Sequence, residues 1–107
     1  MAKKPGQSVR GSTTGRPIMV LLDALGRRWA LRVLWELSSG PSSFRDLQAR
    51  CGDVSPTSLN ARLKDLRDLQ LVALTEEGYA LTRHGRDLAA RLGPLNAWAN
   101  TWAKALG

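Results

Sequence analysis

Ser55-Pro56 followed by leucines at 59, 63 and 66 leaves residues 55–68 with few ways to fold. Serine can cap a helix with its side-chain oxygen, and proline at the first helical position forfeits no hydrogen bond. Leucines spaced by four and three share one helical face. The pattern predicts a helix with a buried Leu59, Leu63, Leu66 stripe. Thr57, Ala61, Lys64 and Asp68 then lie opposite the stripe, with Ser58, Asn60 and Asp65 beside them and Arg62 on the flank. Before this helix, Ser43 can cap a shorter one whose Phe44, Leu47 and Cys51 face inward, and Gly52-Asp53 makes the turn. After it, Val72, Leu74, Tyr79 and Leu81 alternate in two strands joined around Glu76-Glu77-Gly78. A hairpin so short must pack on the helices to persist.

That order, short helix, turn, capped helix and tight hairpin, is how a winged helix-turn-helix looks in sequence. The rest of the chain fits around it. Pro17 with Ile18, Leu21, Leu22 and Leu25 predicts a first helix stopped by Gly26. Trp29, Ala30, Val33, Leu34 and Leu37 predict a second, ended by Ser38-Ser39-Gly40-Pro41. Beyond a capping Thr82, Leu88, Leu92, Leu95, Trp98, Trp102 and Leu106 form one apolar stripe. Gly93-Pro94 is expected to break or kink it, leaving two helices over about 83–92 and 94–106. Residues 1–16 show no helix or strand period and carry Lys3, Lys4, Arg10 and Arg16 with no acid, the pattern of a flexible basic arm. The expected fold class is α+β, mainly α: a winged helix-turn-helix over residues 17–107 with a short β-hairpin wing and a C-terminal dimerisation helix. A length of 107 residues and 43% hydrophobic content suit one domain with one core.

Sixteen Lys and Arg against nine Asp and Glu give a net charge of +7, which suits a polyanionic partner because neutralising phosphates releases counterions. The capped helix supplies what a major groove accepts: a positive dipole end and small polar or amide side chains near it. Ser55, Thr57, Ser58, Asn60 and Lys64 are the candidate reading residues; Asn60 can pair with an adenine edge, and Lys64 can reach guanine or a phosphate. Arg62, Arg45 and Arg83 are candidate phosphate contacts, with Arg27, Arg28, Arg50 and Arg67 as further cations. Glu76 and Glu77 at the hairpin tip argue against a wing in the minor groove. Ile18, Leu22 and Leu25 facing Leu95, Trp98 and Trp102 are the expected homodimer seam, because a small domain cannot cover that stripe and its own core together. A flat aromatic effector between subunits, against the Trp side chains, is a sharper expectation for the same surface.

The chain has one Cys and one His. A single thiol forms no intrachain disulfide and fits the cytoplasm, and Cys51 reads as core. A lone His84 has no metal-ligand spacing around it, and no nucleophile–base pair or Gly-rich phosphate loop is present, so no metal, cofactor or enzymatic activity is expected. No apolar run approaches the roughly 20 residues of a membrane helix. The residues therefore predict a sequence-specific double-stranded-DNA-binding protein, dimeric through that seam. The alternatives are a winged-helix protein-interaction module and a non-specific DNA-coating protein.

From Arg16 onward the chain resembles the HxlR-type winged helix-turn-helix transcriptional regulators. The resemblance rests on Asp23-Ala-Leu-Gly-Arg-Arg-Trp29, Leu37-Ser-Ser-Gly-Pro-Ser-Ser-Phe44-Arg-Asp-Leu47, Val54-Ser55 with Arg62-Leu63-Lys64-Asp65-Leu66, and Leu81-Thr82-Arg83-His84-Gly85-Arg86-Asp-Leu88. It implies a transcriptional regulator, a homodimer built on the first and last helices with two recognition helices on successive major-groove faces of a pseudopalindromic operator, acting most simply as a repressor. Several such regulators carry a sensor Cys just before the Pro that opens the first helix. Here that place is Arg16, so thiol sensing is not implied. The wing is also shorter than is usual in that family.

Overall fold

The computed structural model describes residues 2–107. In chain order it contains α1 (Pro17–Leu25), α2 (Ala30–Leu37), α3 (Phe44–Arg50), α4 (Pro56–Asp68), β1 (Val72–Thr75), β2 (Gly78–Leu81) and α5 (Arg83–Leu106). All three expected N-caps form: Ser43 Oγ accepts from the Asp46 N–H, Ser55 Oγ from the Ser58 N–H and Thr82 Oγ1 from the Gly85 N–H, each at 3.1 Å. Such caps contribute roughly 1 kcal/mol each and fix where the helices begin.

One core holds these elements. Val33, Leu34 and Leu37 of α2 meet Leu47 and Cys51 at α3, Leu59, Leu63 and Leu66 of α4, and Leu71, Val72 and Leu81 around the hairpin. Burying a leucine side chain contributes about 2 kcal/mol, so the three-leucine stripe is what anchors α4 and turns its other face outward. The angle between α3 and α4 is set by the turn: Gly52 and Asp53 adopt positive φ of 70° and 57°. The Asp53 N–H donates to the Gln48 carbonyl at 3.0 Å, and Gln48 Nε2 donates to the Val54 carbonyl at 2.9 Å.

The hairpin is antiparallel, with Val72 opposite Leu81 and Thr75 opposite Gly78. Its attachment to the helices is a backbone exchange with buried Ser42: the Ser42 N–H donates to Tyr79 at 2.9 Å and the Tyr79 N–H donates back at 2.8 Å. Glycine is required beside it, since φ at Gly78 is +112° and a Cβ there would sit 2.5 Å from the Ser42 carbonyl oxygen.

Two features differ from expectation. The chain does not break at Gly93-Pro94; α5 runs from Arg83 to Leu106 with Pro94 inside it. Proline removes one intrahelical bond and crowds the preceding residue. Here that residue is a glycine with no Cβ to crowd, and Ala90, Gly93 and Pro94 are exposed, so water can satisfy the freed carbonyl. Residues 2–16, expected as an arm without structure of its own, are tied by local bonds: the Gly6 N–H donates to Gly15 at 2.9 Å, and Val9 and Ser12 bridge each other. Arg10 Nε lies 3.4 Å from Asp23 on α1, joining that segment to the domain. The breakers that hide any periodicity are the same residues that make tight turns.

Candidate nucleic-acid interface

Helix α4 is capped at Ser55, seated on its leucines, and bare on its outer face. Thr57, Asn60, Ala61 and Lys64 are exposed on that face, as the rotation of about 100° per residue requires. The other candidates are more engaged. Ser55 and Ser58 spend their hydroxyls on the cap, with Ser55 Oγ donating to Ser58 Oγ at 2.9 Å. Arg62 is half-buried and its amino group lies 3.2 Å from Asp65, while its Nε is buried without a protein partner. Asp68, expected on the outer face, is half-buried, with Oδ2 enclosed and unpartnered. Asp68 lies where the last turn of α4 meets β1 and, across a cleft, the start of α5, both of which arrive from later in the chain.

Arg45 on α3 and Arg83 at the start of α5 are exposed. Glu76 and Glu77 form the exposed hairpin tip; Thr75 Oγ1 closes the turn, donating to Gly78 O at 2.8 Å and accepting from the Glu77 N–H at 3.2 Å. Lys64 and Arg83 line one cleft together with Arg67 and His84. Arg67 and His84 were not among the leading sequence candidates. A basic pair directly after a capping threonine was the available signal for His84.

The second exposed surface is apolar. Ile18 and Leu22 on α1, and Leu95, Trp98, Trp102 and Leu106 on α5, are all more than half exposed, and the Trp98 and Trp102 rings stack 5.8 Å apart at 11°. Leu25 differs from these: it is partly buried and packs against the core. Cys51 is buried, and burial pushes its thiol up from 9.0 despite nearby Arg32, so it stays protonated and packs as a small apolar group. Alkylation of Cys51 is expected to be at least roughly 100-fold slower in the native protein than in denaturant. Because the folded thiol holds its proton more tightly than the unfolded one, stability should fall as pH rises through the ordinary thiol range. Among the described residues no group of three His, Cys, Asp or Glu could hold a metal ion, and no helix is long and apolar enough to cross a membrane.

A capped recognition helix held across a tight turn, a two-stranded wing and a basic polar outer face define a winged helix-turn-helix DNA-binding protein. The chain belongs to the HxlR-like helix-turn-helix family, whose model matches residues 24–106. It is 31% identical over 88 residues to a Bacillus subtilis protein named uncharacterized HTH-type transcriptional regulator YvaP, covering 76% of this chain and 82% of that one. Two solved structures share the fold at 28% identity and over 78% of this chain. One is quinone-bound YodB from B. subtilis, with a TM-score of 0.73 and 96% of that chain covered. The other is described as a possible HxlR family transcriptional factor from Thermoplasma volcanium, with a TM-score of 0.69 and 82% covered. The protein is a DNA-binding transcriptional regulator, and its relatives are regulators, not enzymes.

Proposed function

We propose that the protein is a cytoplasmic homodimeric repressor that reads a pseudopalindromic operator and blocks polymerase there. The observation that carries the reading is the outer face of α4, where Thr57, Asn60 and Lys64 are exposed on a helix whose other side is fully buried. A helix so held can enter a major groove without rearrangement, with Asn60 and Lys64 at base edges and Arg45, Arg62 and Arg83 toward phosphates. Support for the dimer is the uncovered apolar surface of α1 and α5. A C2 pair would set two α4 helices about one DNA turn apart.

Selection from a random duplex pool should recover a pseudopalindrome with half-sites separated by about 10 base pairs. Recovery of no enriched sequence would leave a non-specific coat or a protein-interaction module. Asn60→Ala and Lys64→Ala should each cost about 1–3 kcal/mol of discrimination at particular base pairs of that sequence, read by anisotropy against single-base variants. Unchanged discrimination in both would remove α4 from the reading role.

The stacked Trp98–Trp102 pair also suits a flat aromatic effector held between subunits, a reading supported by the quinone bound to the structural relative YodB. Planar quinones should quench tryptophan fluorescence and release the operator; absence of both effects would discard the effector.

A further inference from the structure

An open cleft of about 740 Å³ lies between the last turns of α4, strand β1 and the start of α5. Lys64 and Arg67 line it from α4, and Arg83 and His84 from α5. Among the described residues none of these three permanent cations is in an ion pair, whereas Arg10, Arg27, Arg32 and Arg62 all are. The wall formed by α5 is also the positive end of a 24-residue helix. Thr82 satisfies the Gly85 N–H and its carbonyl takes the Arg86 N–H, which leaves the N–H groups of Arg83 and His84 as the helix's open donors. One carboxylate, Asp68, also lines the cleft, with Oδ2 turned out of solvent and unpartnered.

We propose that this cleft binds a phosphodiester of the DNA strand bordering the major groove that α4 enters, and thereby takes over the backbone contact that the acidic hairpin tip cannot make. The inference rests on the DNA-reading role of α4, because Lys64 belongs to both surfaces and makes the cleft continuous with the reading face. A helix in the major groove has a sugar–phosphate strand along each side, and the one on the hairpin side crosses the cleft. Three cations and two open N–H groups complement a single phosphate charge, with Asp68 tempering the attraction. Glu76 and Glu77 at the far end of the hairpin repel the same strand, which confines it to the cleft.

The test uses the full chain and a duplex recovered by selection. Arg67→Ala and Arg83→Ala should each weaken binding to every sequence by roughly tenfold and make the log–log salt slope shallower, by about one when the two are combined, because the cleft neutralises one phosphate. Asp68→Asn should tighten binding roughly threefold. Arg91→Ala, on α5 away from the cleft, should change neither quantity. A single methylphosphonate at the contacted phosphate should weaken the wild type but add little to Arg67→Ala. Wild-type binding with unchanged slopes in both arginine variants, or full additivity with methylphosphonates at every position, would overturn the cleft and leave α4's role intact. Failure of the wild type to bind any duplex would overturn both.

Discussion

Trp98→Glu is expected to convert the proposed dimer to a monomer and to weaken operator binding by at least about 100-fold, the avidity lost when two half-sites are no longer linked. From Gly93 to Gly107 every residue except Ala99 is exposed, so the second half of α5 has almost no packing within its own protomer. An isolated segment of that length is marginal in water even with good helix formers, and this one carries a proline at its start. What stabilises it must come from elsewhere, and its apolar face matches that of α1, where Ile18 and Leu22 are 53% and 52% exposed. Trp98 is 60% exposed and central to the face, and burying a tryptophan removes about 150–250 Å² from water. A glutamate there would be forced into the seam without a partner, at several kcal/mol. Sedimentation and operator titration together check this: loss of both dimer and tight binding is expected, Trp98→Phe should keep both, and a Trp98→Glu dimer with unchanged affinity would rule out this face as the seam.

What could be read from the sequence was whatever depends on near neighbours. The α4 stripe, its Ser55 cap, the Ser43 and Thr82 caps and the alternation of the hairpin are set within a few residues, and all appear in the structure. The continuity of α5 was missed because the cost of Pro94 is visible locally, whereas the relief from Gly93 and from solvent depends on what surrounds it. Leu25 followed the period of its exposed neighbours but turns to the core, since the short turn into α2 brings it against residues no helical wheel includes. The cleft was invisible for the same reason. Lys64, Arg67, Arg83 and His84 come from the two ends of the hairpin excursion, and only the packing of α5 against β2 brings them together. Asp68 has an outer-face position on the helical wheel but is half-buried beside β1, which follows α4 in the chain.

That closure depends on one position where a methyl group should be costly. Gly85→Ala is expected to destabilise the domain by about 3 kcal/mol and lower its Tm by 10 °C or more, in the upper range for overpacking. Gly85 is buried in the first turn of α5, and a Cβ on it would run into the carbonyl of Leu71. That carbonyl cannot move freely: it accepts the Thr82 N–H at 3.1 Å, and Leu71 itself is buried in the core. Side chains can yield to an extra methyl by changing rotamer, but a backbone carbonyl held at both ends can yield only by opening the junction between α4 and α5. Helix propensity alone predicts the opposite sign, since alanine is favoured over glycine inside a helix by about 1 kcal/mol. Urea and thermal unfolding of the variant therefore decide between two physical effects: a lower midpoint shows the close approach dominating, and an unchanged or higher one shows that the junction has room. The first outcome would also carry a functional consequence, because the same displacement moves Arg83 and His84 away from Lys64 and Arg67 and should flatten the salt dependence of DNA binding.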